Sequence, residues 1–300
     1  MRPPHLLLTL FLAGITAAAP SAAAAQSTAN CPDCPTWNAP TAPFHLFGNT
    51  YYVGTRGLSA LLVTSPEGHV LIDAGLPESA PLIAGSIRAL GFRVEDVRVI
   101  LNSHVHFDHA GGIAELQRMS GAEAVASAAS APVLERGTVG RDDPQFGAVA
   151  SIARVARVRV IPAGDTVQVG SLQLRALRTA GHTPGGTSWT WTTCEGETCG
   201  AIVYGDSQSA ISADGFLFSR STTYPRVLED FEAGFTALEQ VRCDVLVTPH
   251  PDATGLWARL ARREGGEREA MRDPGACKRY AATARERLAQ RVASERERKP

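Results

Sequence analysis

From Phe44 onward the apolar positions fall into short β-rich runs divided by turns: YYVG, LSALLVT, the turn SPEG, then HVLIDAG. Such runs, bounded by Gly, Pro and Ser, predict strands, and their close succession predicts an antiparallel meander. In PESAPLIAGSIRALGF the period changes. Leu82, Ile83, Ile87 and Leu90 recur at helical spacing, with Ser79 as the N-cap and Gly91 as the stop. VRVILNS then reads as a buried strand, GGIAELQRM as a helix and EAVAS as a strand. Between positions 128 and 155 an Ala-rich helical stretch gives way to polar RGTVGRDDPQFG, a loop expected to cover something. A second series of strands follows in VRVIPAGDTVQVG, LQLRALRT, GTSWTWTT and AIVYGD. The helix PRVLEDFEAGFTALEQV, the strand CDVLVTPHP and an Arg- and Glu-rich surface helix from Cys277 to Glu297 close the chain. Strands, helix, strands, helix is the order of two similar halves packed as one α/β unit.

The first residues belong to a different pattern. A basic start at Arg2, an apolar run from Leu6 to about Ala19 and small residues up to an A-x-A-like site at Ala23 to Ala25 predict a secretory signal over residues 1–25. The remaining 26–300 are then one domain, exported to the periplasm. No later stretch approaches the ~20 apolar residues that a membrane-spanning helix needs, so no membrane anchor is expected. Apolar residues make up 44% of the chain, ample for a buried core, and the formal charge of -1 offers no field to attract nucleic acid. A small-molecule partner and a monomeric protein are expected. The only lysines are Lys278 and Lys299, so an anion bound centrally must be met by Arg, Ser, backbone amides or metal.

Export changes the reading of the six cysteines, because oxidising compartments favour disulfides. Sequential pairing, Cys31 with Cys34, Cys194 with Cys199 and Cys243 with Cys277, is one of fifteen connectivities. A zinc site at CPDC is the rival, but no second CxxC or nearby histidine pair completes four ligands.

Of eight histidines, His5 lies in the signal, and His45 and His69 lie in or near strands. The other five, His104, His106, His109, His182 and His250, each follow a predicted strand in the turns NSHVHFDH, TAGHTPGG and TPHP. Strand ends converge on one edge of a sheet, where α/β folds place ligands. His104 and His106 are two apart, so in extended chain both imidazoles face one way. Asp108 and His109 then face a second ion alongside. Five imidazoles and one carboxylate supply three ligands to each of two zinc ions. Closed structural zinc sites use four, so the shortfall favours catalysis.

The segment HVHFDHAGG resembles the signature of the metallo-β-lactamase superfamily, which implies a four-layer αβ/βα sandwich with the site at one edge of two facing sheets. The stretches NTYYVGTRGLSALLVTSPEGHVLIDAG, AGHTPGGTSWTW, YGDSQSAISADGF and CDVLVTPHP are similar to subclass B3 in particular, and the resemblance covers essentially all of the mature chain. It implies a first zinc on His104, His106 and His182 and a second on Asp108, His109 and His250. It also implies a catalytic role for Asp108 in orienting a metal-bound hydroxide. Other subclasses place a cysteine ligand where this chain has Ser207. Some relatives pair an N-terminal cysteine with a cysteine at the position of Arg56; here Cys34 is the substitute partner for Cys31. Arg56 is placed by its loop at the mouth of the site.

The activity so implied is zinc-dependent opening of the β-lactam ring of penicillins, cephalosporins and carbapenems, conferring antibiotic resistance. Ser207 and Ser209 are expected to hold the substrate carboxylate, against a plainer role in satisfying their turn. Glyoxalase-type relatives instead carry a metal-bridging aspartate in a similar GD turn, and Asp206 keeps that alternative open. An exported lactonase or thioesterase of the same fold is therefore the second reading. A non-catalytic periplasmic zinc-binding protein is the third.

Overall fold

The computed structural model describes residues 31–297; the signal assigned to 1–25 lies outside them. After a short helix α1 (Cys34–Trp37), strands β1 (Phe44–Phe47), β2 (Thr50–Tyr52), β3 (Leu61–Val63) and β4 (His69–Ile72) form the antiparallel meander. Helix α2 (Ala80–Ala89) returns the chain to β5 (Val97–Leu101), parallel to β4. Then come α3 (Phe107–Ala110), α4 (Ile113–Ser120), β6 (Glu123–Ala126), α5 (Ala131–Arg136) and β7 (Val158–Val160). These seven strands make one sheet in sequence order. The second sheet has the order β12-β11-β10-β9-β8, built from β8 (Thr166–Val169), β9 (Leu172–Arg178), β10 (Thr187–Glu195), β11 (Thr198–Tyr204) and β12 (Val245–Val247). Helix α6 (Val227–Gln240) connects β11 to β12, and α7 (Leu256–Glu264) and α8 (Ala276–Glu297) end the described chain.

Two-residue periodicity explains how the layers stack. Leu61, Val63, Val70, Ile72, Val99 and Leu101 point from the first sheet into a central core, where they meet Trp189, Trp191, Ile202, Tyr204, Val245 and Val247 of the second. The intervening Leu62, Leu71 and Ile100 point outward and are covered by Ile83, Ile87, Leu116 and Leu134 of the first helical layer. On the other side Val203 and Leu246 meet Phe231, Phe235 and Leu238 of α6 and Leu288 of α8. Strands buried on both faces read as continuous apolar runs, as VRVIL and AIVY do. The result is the expected four-layer αβ/βα sandwich.

Three details differ from the sequence expectation. Ser79 makes no side-chain cap; its Oγ accepts from Leu76 N at 3.0 Å and donates to Asn38 Oδ1 at 2.6 Å, tying the start of α2 to the N-terminal segment. The 22-residue α8 is more than a surface helix, because Ala281, Ala284, Leu288 and Val292 bury one stripe against the α6 layer. Helix α7 was not anticipated from the sequence; it buries Leu256 and Arg259 while exposing Arg262 and Glu264.

Cysteines pair sequentially: Cys31–Cys34, Cys194–Cys199 and Cys243–Cys277. The last closes a separation of 34 residues and pins the start of α8 beside β12, whereas Cys194–Cys199 spans only 5 across the β10–β11 hairpin. Loop-closure entropy makes the long bridge worth about 4 kcal/mol and the short one about 2. Replacing Cys243 and Cys277 by Ser is therefore expected to cost more unfolding free energy in urea than replacing Cys194 and Cys199; equal losses would contradict the entropic ranking.

Candidate metal centre

The chain enters the site at the end of β5, where Asn102 to His106 run extended along the sheet edge. Asp73, just past β4, fixes this entry. Its Oδ1 accepts from Ser103 N at 2.7 Å, and its Oδ2 accepts from Ser103 Oγ at 2.6 Å and from Tyr204 Oη at 2.9 Å. Asp73 is fully buried in the left-handed region at φ 57, and burial pushes its carboxyl up to about 7 despite those donors. Trp189 Nε1 donates to Asn102 O at 3.1 Å, and Asn102 Nδ2 to His104 O at 2.7 Å. At Phe107 the backbone turns helical, which rotates Asp108 and His109 away from His104 and His106. Gly112 follows because the turn packs directly on the β4 end: a Cβ there would lie 2.4 Å from Ala74 O.

His182 comes from the turn after β9 and His250 from the turn after β12, where Thr248 Oγ1 donates to His250 O at 2.8 Å. Gly181 has φ +138, and a side chain on it would drive into the Phe231 ring, 2.4 Å away. Two ligand groups result. His104, His106 and His182 form one, and Asp108, His109 and His250 the other, each with its candidate ligand atoms within 4.8 Å of one another. The first group is wholly buried, whereas His250 in the second is half-buried, with its ring 5.1 Å from that of Trp37.

In the first group each imidazole has one nitrogen occupied. His104 Nδ1 donates to Asp206 Oδ1 at 2.7 Å, leaving Nε2 buried without a partner. His182 Nδ1 donates to Ser209 O at 2.8 Å. His106 Nε2 lies 3.2 Å from Asp143 Oδ2. The other nitrogens, His106 Nδ1 and His182 Nε2, both lie 3.5 Å from Gln145 Nε2. In the second group, Asp108 Oδ2 sits 3.0 Å from His109 Nε2 and 3.2 Å from His250 Nε2. A tetrahedral zinc ion with ligands at about 2.0–2.1 Å holds them roughly 3.3 Å apart, which both of these separations match. The orphaned His104 Nε2, costly to bury unpaired, fits a metal in the first group equally well.

Electrostatics suit a cation. Burial, then the crowd of neighbouring imidazoles, holds His104 well below the usual histidine range, and burial takes His182 down to about 3. Burial opposes ionisation of Asp108, yet His109 and His250 hold its carboxyl well below the usual carboxylate range. His104 and His182 are thus presented as neutral imidazoles and Asp108 as an anion, the protonation states that divalent ions require.

The remaining expected residues fall as follows. Ser207 and Ser209 lie in the turn after β11 and line a cavity that also reaches His250. Ser209 Oγ lies 3.1 Å from His182 Nδ1, so it supports a candidate ligand as well as facing the cavity. Asp206, the possible bridging group, lies behind His104 with no exposure and stands in neither ligand group. Arg56 stacks on Trp257, its Cζ 4.2 Å from the ring centroid, and its carbonyl accepts from Trp257 Nε1 at 3.0 Å. Four participants were missed from sequence: Asp73, Asp143, Gln145 and Tyr280. Asp143 and Gln145 belong to the polar RGTVGRDDPQFG run, whose carboxylates were the available signal. Tyr280 of α8 donates to Asp206 O and accepts from Gln208 N, both at 3.0 Å, holding the serine turn from behind.

The family model of the metallo-beta-lactamase superfamily matches residues 53–265. The chain is similar in structure to the Rm3 metallo-beta-lactamase, at 53% identity and a TM-score of 0.88, over 89% of this chain and 99% of that one. It is also similar to MEM-A1, a subclass B3 metallo-beta-lactamase isolated from a soil metagenome library, at 48% identity and a TM-score of 0.86, over 88% of this chain and 100% of that one. A hydroxyacylglutathione hydrolase of Rhodopseudomonas palustris (strain HaA2) is 35% identical over 122 residues, or 41% of this chain, and the match spans 38% of that protein's length.

The lowered histidines have a measurable consequence. At pH 6 an ordinary imidazole gives up about 0.8 proton on binding zinc, whereas His104 and His182 are already neutral. Calorimetry of zinc loading in buffers of different ionisation enthalpy is expected to count almost no protons from these two. Release of the full complement from every ligand histidine would show that burial does not keep them neutral.

Proposed function

The chain belongs to the metallo-beta-lactamase superfamily, and from that premise we propose that it is a zinc-dependent β-lactamase of the subclass B3 type, opening the lactam ring of penicillins, cephalosporins and carbapenems. The observation that carries this reading is the division of labour at the sheet edge. Two three-ligand groups stand side by side, Asp206 is committed to orienting His104, and a serine stands in the turn beside them.

We assign one zinc to His104, His106 and His182 and a second to Asp108, His109 and His250. When bound, the two ions would polarise the lactam carbonyl and make a water acidic enough to ionise near neutral pH. The chain's own contribution is orientation. Asp206 and the Ser209 carbonyl fix which nitrogens of His104 and His182 face inward, as the outer-shell partners of metal-ligating histidines do. Asp108, held ionised, is the carboxylate placed to accept a hydrogen bond from the attacking water and keep its lone pair directed at the substrate. Ser207 donates to the substrate carboxylate from the cavity wall. Ser209 divides its hydroxyl between His182 and the cavity, so we rank it behind Ser207 as a substrate contact.

The exported location follows from the signal pattern and is supported by three disulfides, which oxidising compartments maintain. No helix among the described residues is long and apolar enough to cross a membrane. A periplasmic β-lactamase of this kind would confer antibiotic resistance on its host.

Hydrolysis of a chromogenic cephalosporin is expected with zinc and expected to vanish with a chelator. Turnover of a thioester such as an acylglutathione, but of no β-lactam, would overturn the reading in favour of the thioesterase suggested by the curated relative. Asp108→Asn should lower turnover at least about a hundredfold while the zinc on His104, His106 and His182 is retained. Turnover within about tenfold of wild type, or loss of zinc from the His104, His106 and His182 group as well, would contradict this role.

A further inference from the structure

Beyond the serine turn a cavity of about 530 Å³ runs from Ser207, Ser209 and His250 to the exposed face of α8. Its wall carries three guanidinium groups, Arg259, Arg279 and Arg287, against one carboxylate, Asp273. These are not equivalent. Arg279 is spent on Asp273 in an ion pair. Arg259 is only 8% exposed, donates to Leu246 O at 2.7 Å and Met271 O at 3.3 Å, and keeps a buried Nε without a partner among the described residues. It makes no ion pair among those residues; the carboxylate whose field reaches it is Asp273, already paired with Arg279. Arg287 is exposed at the cavity rim, two turns along α8 from the Tyr280 side chain that holds the serine turn, and it too lacks an ion-pair partner among the described residues. Three cations thus face one carboxylate in a recess that opens directly on the residues assigned to the substrate.

We propose that this cavity is an anion subsite: a second oxyanion group carried by the substrate, on the side of the carboxylate that Ser207 meets, is held there by Arg287, with the buried charge of Arg259 behind it. The proposal rests on the β-lactamase reading for the orientation of the substrate. It explains in this chain how a second negative charge could be met without a lysine, which the sequence lacks anywhere before position 278. Arg287 acts as a planar, permanently charged donor for carboxylate, sulfonate or phosphate oxygens. Because it stands at a rim, its contribution is that of a solvent-accessible ion pair, about fivefold in affinity.

The test uses the zinc-loaded protein and two cephalosporins identical except that the substituent next to the ring carboxylate is neutral in one and carries a sulfonate or carboxylate in the other. Arg287→Gln is expected to raise KM for the anionic member about fivefold, leaving kcat and the neutral member within twofold. Equal changes for both, or no change, overturn the subsite. Turnover of the neutral member by wild type confirms the underlying activity independently of Arg287. If wild type turns over neither, that activity is wrong, and calorimetric titration with inorganic phosphate decides the subsite alone: binding weakened about fivefold by Arg287→Gln supports it, and no binding or unchanged affinity overturns it.

Discussion

An imidazole has two nitrogens, and the site depends on one of them being taken. Free to rotate and to exchange tautomers, five histidines at a sheet edge would be a crowd of interchangeable donors and acceptors. Here Asp206 occupies Nδ1 of His104, the Ser209 carbonyl occupies Nδ1 of His182, and Asp143 lies against Nε2 of His106. Each bond selects a tautomer and aims the remaining nitrogen at a common point. The rest of the structure can be understood as the means of holding those three acceptors still, since they come from the turn after β11 and from the long loop before β7.

The acceptors are held by backbone as much as by side chains. Tyr280 clamps the turn carrying Asp206, Ser207 and Ser209 from the far side, and the Cys243–Cys277 bridge fixes the base of the helix that carries Tyr280. Cavity-lining and histidine-orienting positions therefore share one short segment. That arrangement accounts for the serine pair having two duties: Ser207 is turned to the cavity, while Ser209 supports a ligand.

Much of the layer architecture was legible because period-two patterning writes both faces of a strand: Val70 and Ile72 inward and Leu71 outward, Ile202 and Tyr204 inward and Val203 outward. The histidine cluster was legible because the density of HVHFDH has no packing explanation, and the structure brings its three histidines together with Asp108, His182 and His250. Less visible were groups whose roles depend on distant pairing. Nothing local to Asp73 marks it as the acceptor for Ser103 and Tyr204, 30 and 131 positions away. Tyr280 lay within what reads as an Arg- and Glu-rich surface helix, and α7 was missed because its charged face outweighs its apolar one. The function of Asp206 was undecidable from its turn, since a bridging and an orienting carboxylate look alike until the ring of His104 is placed.

Asp73 also has a bearing on when the site comes into being. It is the rivet between layers: one oxygen pair engages the histidine-rich loop of the first sheet and the end of β11 in the second. Of the candidate ligands, His104, His106, His109 and Asp108 ride on one sheet, His182 and His250 on the other. Neither triad exists until the sheets have docked in register around that carboxylate. The two triads are thus a property of the docked sandwich and of neither half alone, and their spacing records how closely the halves have been brought into alignment.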